Sequence, residues 1–293
     1  MNAPLRRDPL FDLLAPKRPT RIVDVGANPI DGDPPYKRML DLGLCTVVGF
    51  EPQPDALARL NAVKTDREFY LPYALGSGRR ATLRICHAPG MTSLLEPDRT
   101  ALSHFPLFVE FGRVVEERTV ETRRLDDVAE IDHLDLLKID VQGSELEIFR
   151  NGRRRLAKAV AIHTEVSFVT LYKKQPGFGE IDVELRKSGF VPHGFAAIKK
   201  RMIGPMMGAS PYDAFNQVVE ADLVYVRDFT APDAMDDEQL AHLALVAHHV
   251  YGSFDLAMNC IHHLVARGRL AADARDRYVA IVRAGAIAAA PAG

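Results

Sequence analysis

The feature that most constrains this chain is a pair of short apolar runs closed by small or acidic residues. Ile22, Val23 and Val25 form a β-branched run that follows a polar, proline-rich segment and ends at Asp24, Gly26 and Asn28. Cys45 to Phe50 (CTVVGF) forms the second, ending at Glu51-Pro52, about 25 residues further on. Between them Tyr36, Met39, Leu40 and Leu42 give one apolar helical face, with Pro34 and Pro35 suited to a first turn and Gly43 to a stop. Strand, helix, strand at this spacing predicts a parallel βαβ unit with a right-handed crossover. Ligands of such open sheets bind beyond the strands' carboxyl ends, where Asp24, Gly26, Asn28 and Glu51 fall.

The same rhythm continues. Pro54-Asp55 opens a helix with Leu57, Leu60 and Val63 inward, and Phe69 to Leu75 reads as a third strand ending at Gly76. From about 80 to 123 the pattern becomes two-residue alternation, a β insertion that holds the small-residue loop Gly90 to Leu95. Leu134 to Gly152 (LDLLKIDVQGSELEIFRNG) reads as a central strand, a tight turn at Gly143 and a helix. Ser144 with Glu147 predicts a capping box there, and Gly152 a C-terminal cap. Ala159 to Val166 predicts a fifth strand, a helix stops at Gly189, and Val191 to Ile198 and Gln217 to Val226 predict the last two strands. In the loop between those two, Lys199, Lys200 and Arg201 read as a solvated edge. Met202, Met206, Met207 and Phe215 are expected in a wall around a bound acceptor.

Glu51 at the second strand's end is placed to accept both hydroxyls of a ribose. GxGxxG is absent, since Gly26 is followed by Ala27, Asn28, Pro29 and Ile30, so a pyrophosphate has no glycine-lined helix N-terminus to sit on. A nicotinamide dehydrogenase is disfavoured, and a nucleoside without phosphates, S-adenosyl-L-methionine, fits better. Composition narrows the partners. Lys plus Arg number 37 against 39 Asp plus Glu, so no basic field points to nucleic acid or an anionic membrane. Cys45, Cys86 and Cys260 show no CxxC spacing, which predicts free thiols, no metal site and a cytoplasmic protein. After Asp228 the composition shifts to alanine, histidine and leucine in three helical stretches. The pairs His248-His249 and His262-His263 point to different helix faces, which argues against a metal site and for a homodimer through these C-terminal helices.

VDVGAN at 23–28, VVGFEPQP at 47–54, TSLL at 92–95, RRLDDV at 123–128 and LLKIDVQGSELEIF at 136–149 occur in this order. Together they resemble the FkbM-type S-adenosylmethionine-dependent methyltransferases over roughly residues 20–228. The resemblance implies an α/β fold: a seven-stranded, mostly parallel Rossmann-like methyltransferase sheet whose last strand is antiparallel. It divides the chain into an N-terminal arm (1–20), a methyltransferase domain (21–228, with the β insertion at about 80–123) and a C-terminal helical extension (229–293). It implies methyl transfer to a hydroxyl of a sugar, polyketide or other secondary metabolite. Asp24, Gly26 and Asn28 would line the methionine end of the cofactor, Glu51 would hold its ribose, and Ala74 and Leu75 would lie near adenine. Asp140 is the leading catalytic candidate. Glu165 and His163 follow it, although His163 also fits a satisfied core histidine, and Gln142, Ser93 and Lys138 are expected beside the acceptor. The family usually has a glycine near position 30, where this chain has Pro29-Ile30-Asp31-Gly32, so a bulkier or longer cofactor loop is expected. The rival readings are a catalytically silent cofactor-binding scaffold acting through its helical tail, and a methyltransferase on RNA or protein.

Overall fold

The computed structural model describes residues 8–28, 32–210 and 212–289, with the side chains of 286–289 left aside. Among the described residues there are ten strands: β1 (Thr20–Val25), β2 (Cys45–Phe50), β3 (Glu68–Leu71), β4 (Ala74–Leu75), β5 (Arg80–Cys86), β6 (Val114–Arg123), β7 (Leu136–Ile139), β8 (Ala161–Ser167), β9 (Phe190–Lys200) and β10 (Val218–Arg227). Seven of them form one sheet in the order β3-β2-β1-β7-β8-β10-β9, parallel from β3 to β8, with β10 antiparallel to both neighbours. The chain leaves β1 toward β2 on one side and reaches β7 on the other, so a crevice opens at the carboxyl ends of β1 and β7. A second, three-stranded sheet, β4-β6-β5, stands beside the first. The run read as one strand over Phe69 to Leu75 is therefore two. Its first part pairs with β2, and after Pro72-Tyr73 its last two residues pair with β6.

The side-chain period of two sorts the sheet's faces. Val23, Val25, Leu137, Ile139 and Ile162 enter one core, covered by the helices Glu145–Arg150 and Phe178–Lys187. Ile22, Val47, Leu136, Ala161 and Val224 enter the other. That core is closed by the helix Pro9–Leu14, which Asp8 caps by accepting from the Leu10 and Phe11 amides, and by the C-terminal helices Asp237–His249, Phe254–Ala266 and Ala274–Ala289. Asp236 and Gln239 form the capping box that opens the first of these three. No helix among the described residues is long and apolar enough to cross a membrane.

Two local expectations fail. Ser144 makes no side-chain cap; the Glu145 carboxylate instead accepts from the Val141 and Gly143 amides, at 3.0 and 3.2 Å, and folds the turn itself. Gly152 does not end its helix in the left-handed region, because Asn151 is the terminal residue and Gly152 starts the next helix, Arg153–Leu156.

Candidate functional site

On the second face, toward the strand ends, the apolar row gives way to a polar one. Asp24, Lys138 and His163 are direct neighbours across β1, β7 and β8, one alternation above Ile22, Leu136 and Ala161. These side chains form part of the wall of a cavity of about 1040 Å³. Asp24, Gly26, Asn28, Glu51, Ala74, Leu75, Ser93, Lys138, Asp140, Gln142, His163 and Glu165, from both sheets and the loops between them, all line it. Pro29, Ile30 and Asp31, where the sequence departs from the family pattern, lie outside the described residues.

At the β1–β2–β7 side, Gly26 has φ +77°, and a Cβ there would lie 2.0 Å from the Asp140 carbonyl oxygen. Only glycine lets the two strand tips meet so closely. Asp24 is buried, accepts from the Tyr36 hydroxyl at 2.6 Å and lies 3.2 Å from the Lys138 ammonium. Burial raises its carboxyl, and Lys138 and Tyr36 only partly reverse this. Lys138 also donates to the Gly26 carbonyl at 3.0 Å, which ties β7 to the glycine turn. Burial pulls Lys138 down, but Asp24 and Asp140 more than offset that and leave it above the ordinary lysine value. Glu51 is buried at the tip of β2, and its Oε1 accepts from the Gln53 amide at 2.7 Å. Burial raises its carboxyl too. Ala74 and Leu75 are buried in β4 and extend the cavity's apolar wall.

At the β7–β8 side Gln142 is the hub, with φ +56°. Its amide donates to Asp140 Oδ1 at 2.8 Å and Glu165 Oε1 at 3.0 Å, its amide oxygen accepts from the Tyr172 hydroxyl, and its backbone carbonyl accepts from the Ser93 hydroxyl at 2.7 Å. A carboxamide can donate to two carboxylates while accepting from a phenol; no other side chain of this size does both. Ser93 is thereby a loop anchor, since its oxygen also accepts from the Leu95 amide. Glu165 accepts from Lys199 at 2.7 Å. Burial, then the Asp140 and Glu220 charges, push its carboxyl well above the usual range, and Lys199 opposes them. His163 is held down to about 4 by burial and then by Lys138, and is neutral there. Its Nδ1 is buried without a hydrogen-bond partner among the described residues, so it is not a satisfied core histidine. Its ring stacks on Tyr251 from the turn between two C-terminal helices.

The sequence reading missed the acids and cations on β9 and β10. Lys199 is not a solvated edge residue: it is half-buried, lines the cavity and pairs with Glu165 and Asp222. Arg201, Glu220 and Asp222 also line the cavity. The methionine wall is not formed, because Met206, Met207 and Phe215 are exposed and none of them, nor Met202, lines the cavity. The adjacent His248 and His249 rings go to different neighbours. His248 lies 3.1 Å from the Tyr278 hydroxyl, and His249 lies 3.3 Å from Asp8.

The chain is similar in sequence to known proteins. The methyltransferase FkbM domain matches residues 24–192, more than half of the chain. The 2-O-methyltransferase NoeI of Sinorhizobium fredii (strain NBRC 101917 / NGR234) is 32% identical over 168 residues. That match covers 53% of this chain and 66% of NoeI, just under two thirds of its length. Among solved structures, magnesium protoporphyrin IX methyltransferase from Synechocystis PCC 6803, determined with bound S-adenosylmethionine, matches with a TM-score of 0.38 at 9% identity, covering 72% of this chain and 71% of that one. Precorrin-6y C5,15-methyltransferase from Geobacter metallireducens GS-15 matches with a TM-score of 0.37 at 12% identity, covering 74% and 85%.

Proposed function

This chain belongs to the FkbM methyltransferase family, and we propose that it transfers the methyl group of S-adenosyl-L-methionine to a hydroxyl of a small molecule: a sugar, a polyketide or another secondary metabolite. Residues 21–228 would carry the reaction, with the β insertion at about 80–123 roofing the cavity and the C-terminal helices within the described residues, up to 289, bracing the sheet beneath it. The observation that carries this reading is that β1, β2 and β7 bring Asp24, Glu51 and Asp140 to one cavity beside a glycine turn. Hydroxyl methylation draws further support from NoeI, whose name gives it as an O-methyltransferase.

The residues fit that donor. Gly26 lets the β1 tip close against the Asp140 carbonyl, and that close turn is the cradle in which the donor's methionine end would sit, while Glu51 keeps Oε2 for ribose hydroxyls as Oε1 holds the Gln53 amide. When bound, the donor supplies a methyl group already activated by the positive charge on sulfur. The protein's share is alignment, worth about 7–11 kcal/mol in well-oriented reactions, and removal of one proton. Asp140 is the proton acceptor in this reading: it follows β7 directly at the cavity wall and takes one hydrogen bond from Gln142, whereas Glu165 is already engaged by both Gln142 and Lys199 and the His163 ring stacks on Tyr251. Gln142 fixes Asp140 from the side. The acceptor hydroxyl, aligned in the cavity, would pass its proton to Asp140 as it takes the methyl group that the bound donor would supply.

Calorimetry with S-adenosylmethionine tests the cofactor assignment: saturable 1:1 binding is expected, and no heat at millimolar donor would overturn it. A homodimer through the C-terminal helices would have to use exposed residues such as Phe254 and Val279, because Leu240, Leu243, Leu256 and Ile261 pack in the chain's own core. Sedimentation velocity of the parent and a Phe254→Glu, Val279→Glu variant tests that contact.

A further inference from the structure

Methyl transfer leaves one end of the cavity unexplained. Glu220 is 8% exposed and lines the cavity, and its Oε1 has no hydrogen-bond partner among the described residues. It faces Lys199 across β9 and β10. Arg201, just past β9, is fixed beside the start of β10 by its amide, which donates to the Gln217 carbonyl at 3.0 Å. Its Nη1 donates to the Lys200 carbonyl, its guanidinium lies 5.2 Å from the Tyr212 ring centroid, and its Nε is buried without a partner. Arg201 and Tyr212 line the same cavity, and Tyr212 is exposed.

An unpaired acceptor and an unpaired donor at one cavity end define what they can bind. An anion such as phosphate would meet the Glu220 carboxyl, and a cation would meet Arg201. A neutral hydroxyl both donates and accepts, so one hydroxyl, or two on adjacent carbons, completes both groups. The Tyr212 ring offers an apolar face for the carbon skeleton that carries it. Burial raises the Glu220 carboxyl to about 7, so this group can switch between donating and accepting near neutral pH.

We propose that Glu220 and Arg201 form a hydroxyl-reading subsite, binding a second hydroxyl of a ring-shaped acceptor apart from the one that is methylated, with Tyr212 against the ring. This rests on the methyl-transfer reading above. It makes the acceptor polyhydroxylated and makes Glu220 a specificity-determining residue, not a proton acceptor for the reaction.

The test uses the full chain with S-adenosylmethionine, following S-adenosylhomocysteine release. The acceptors are the methyl pyranosides of glucose, galactose and mannose, their monodeoxy derivatives, and the single alcohols cyclohexanol and phenol. Removing one hydroxyl that is not itself methylated is expected to lower kcat/KM roughly 10- to 100-fold in the parent. The same removal is expected to cost less than about threefold in Glu220→Ala and in Glu220→Met, which keeps the side-chain length without a hydrogen-bonding tip should the alanine variant misfold. A deoxy penalty unchanged in both variants overturns the subsite. So does turnover of the single alcohols alone, or of nothing on the panel, while calorimetry still shows donor binding. Absence of donor binding would instead remove the underlying methyl-transfer reading.

Discussion

The two sides of the cavity are built differently. At the β1–β2–β7 side the buried acids take their hydrogen bonds from groups near them in sequence: Asp24 from Tyr36, Glu51 from the Gln53 amide, and Glu145, behind the wall, from the Val141 and Gly143 amides, with Lys138 as a distant ion partner of Asp24. At the β8–β10–β9 side they depend on distant ones. Glu165 takes its hydrogen bonds from Gln142 and Lys199, 23 and 34 residues away, and Glu220 has one oxygen unpaired. A locally closed site keeps its shape whatever is bound. Both sides carry a long-range pair and an orphan carboxylate oxygen, Asp24 Oδ1 and Glu220 Oε1, but only the first is also closed by local hydrogen bonds, so we read it as suiting an invariant cofactor and the second a variable acceptor.

The strongest way to break this comparison is to spoil the first side's geometry. Gly26→Ala places a Cβ 2.0 Å from the Asp140 carbonyl oxygen at φ +77°. The expected cost is about 3 kcal/mol or more, from backbone strain plus overlap. Donor binding should vanish by calorimetry and the melting temperature should fall. Retained affinity would show that the turn is not the cradle. Next in size is Asp140→Ala, which should lower kcat by roughly 10²- to 10⁴-fold while leaving the donor dissociation constant within about threefold. Single-turnover kinetics at saturating donor separates the two quantities, and an unchanged rate would move proton removal elsewhere. Smaller again is Glu51→Ala. It removes one or two charge-assisted hydrogen bonds to the ribose and should weaken donor binding about 10- to 100-fold with little effect on saturated turnover.

The same contrast explains what the sequence disclosed. The strands of the parallel half were legible because β-branched runs ending in Gly26, Glu51 and Gly143 state both the element and its end in a few adjacent residues. The positions proposed there from sequence have the same local origin: Gly26, Asn28, Glu51, Asp140 and Gln142 follow the last residues of their strands within three positions, and Asp24 and Lys138 are penultimate in theirs. Lys199 was not legible, because a Lys-Lys-Arg run at a strand end reads as solvated. Only the pairing of β9 with β10, and of β10 with β8, brings it to Glu165. Glu220 and Asp222 read as the polar positions of an ordinary half-buried strand, and no local signal marks them as lining a cavity. The failed Ser144 cap has the opposite cause: the motif was present, but Glu145 competed for the same turn and its two backbone hydrogen bonds prevailed.

The smallest effect sharpens the comparison by pH. Burial raises Glu145 on the first side and Glu220 on the second to about 7. A carboxyl whose folded value lies above its ordinary 4.5 binds its proton more tightly in the native state. Its contribution to stability is therefore full below about 4.5 and is lost as pH rises through about 7. Urea melts at pH 5.5 and 7.5 should show parent stability dropping on the order of 1–2 kcal/mol per group across that interval, and either Glu145→Gln or Glu220→Gln should remove its share. The two sides part when a turned-over glycoside is added at saturation. The Glu145 share should persist, because its carboxylate is already bound to the turn, while the Glu220 share should shrink as a hydroxyl completes its free oxygen and favours the charged form. Equal response of both shares to the glycoside would erase the distinction between a closed cofactor side and a ligand-completed acceptor side.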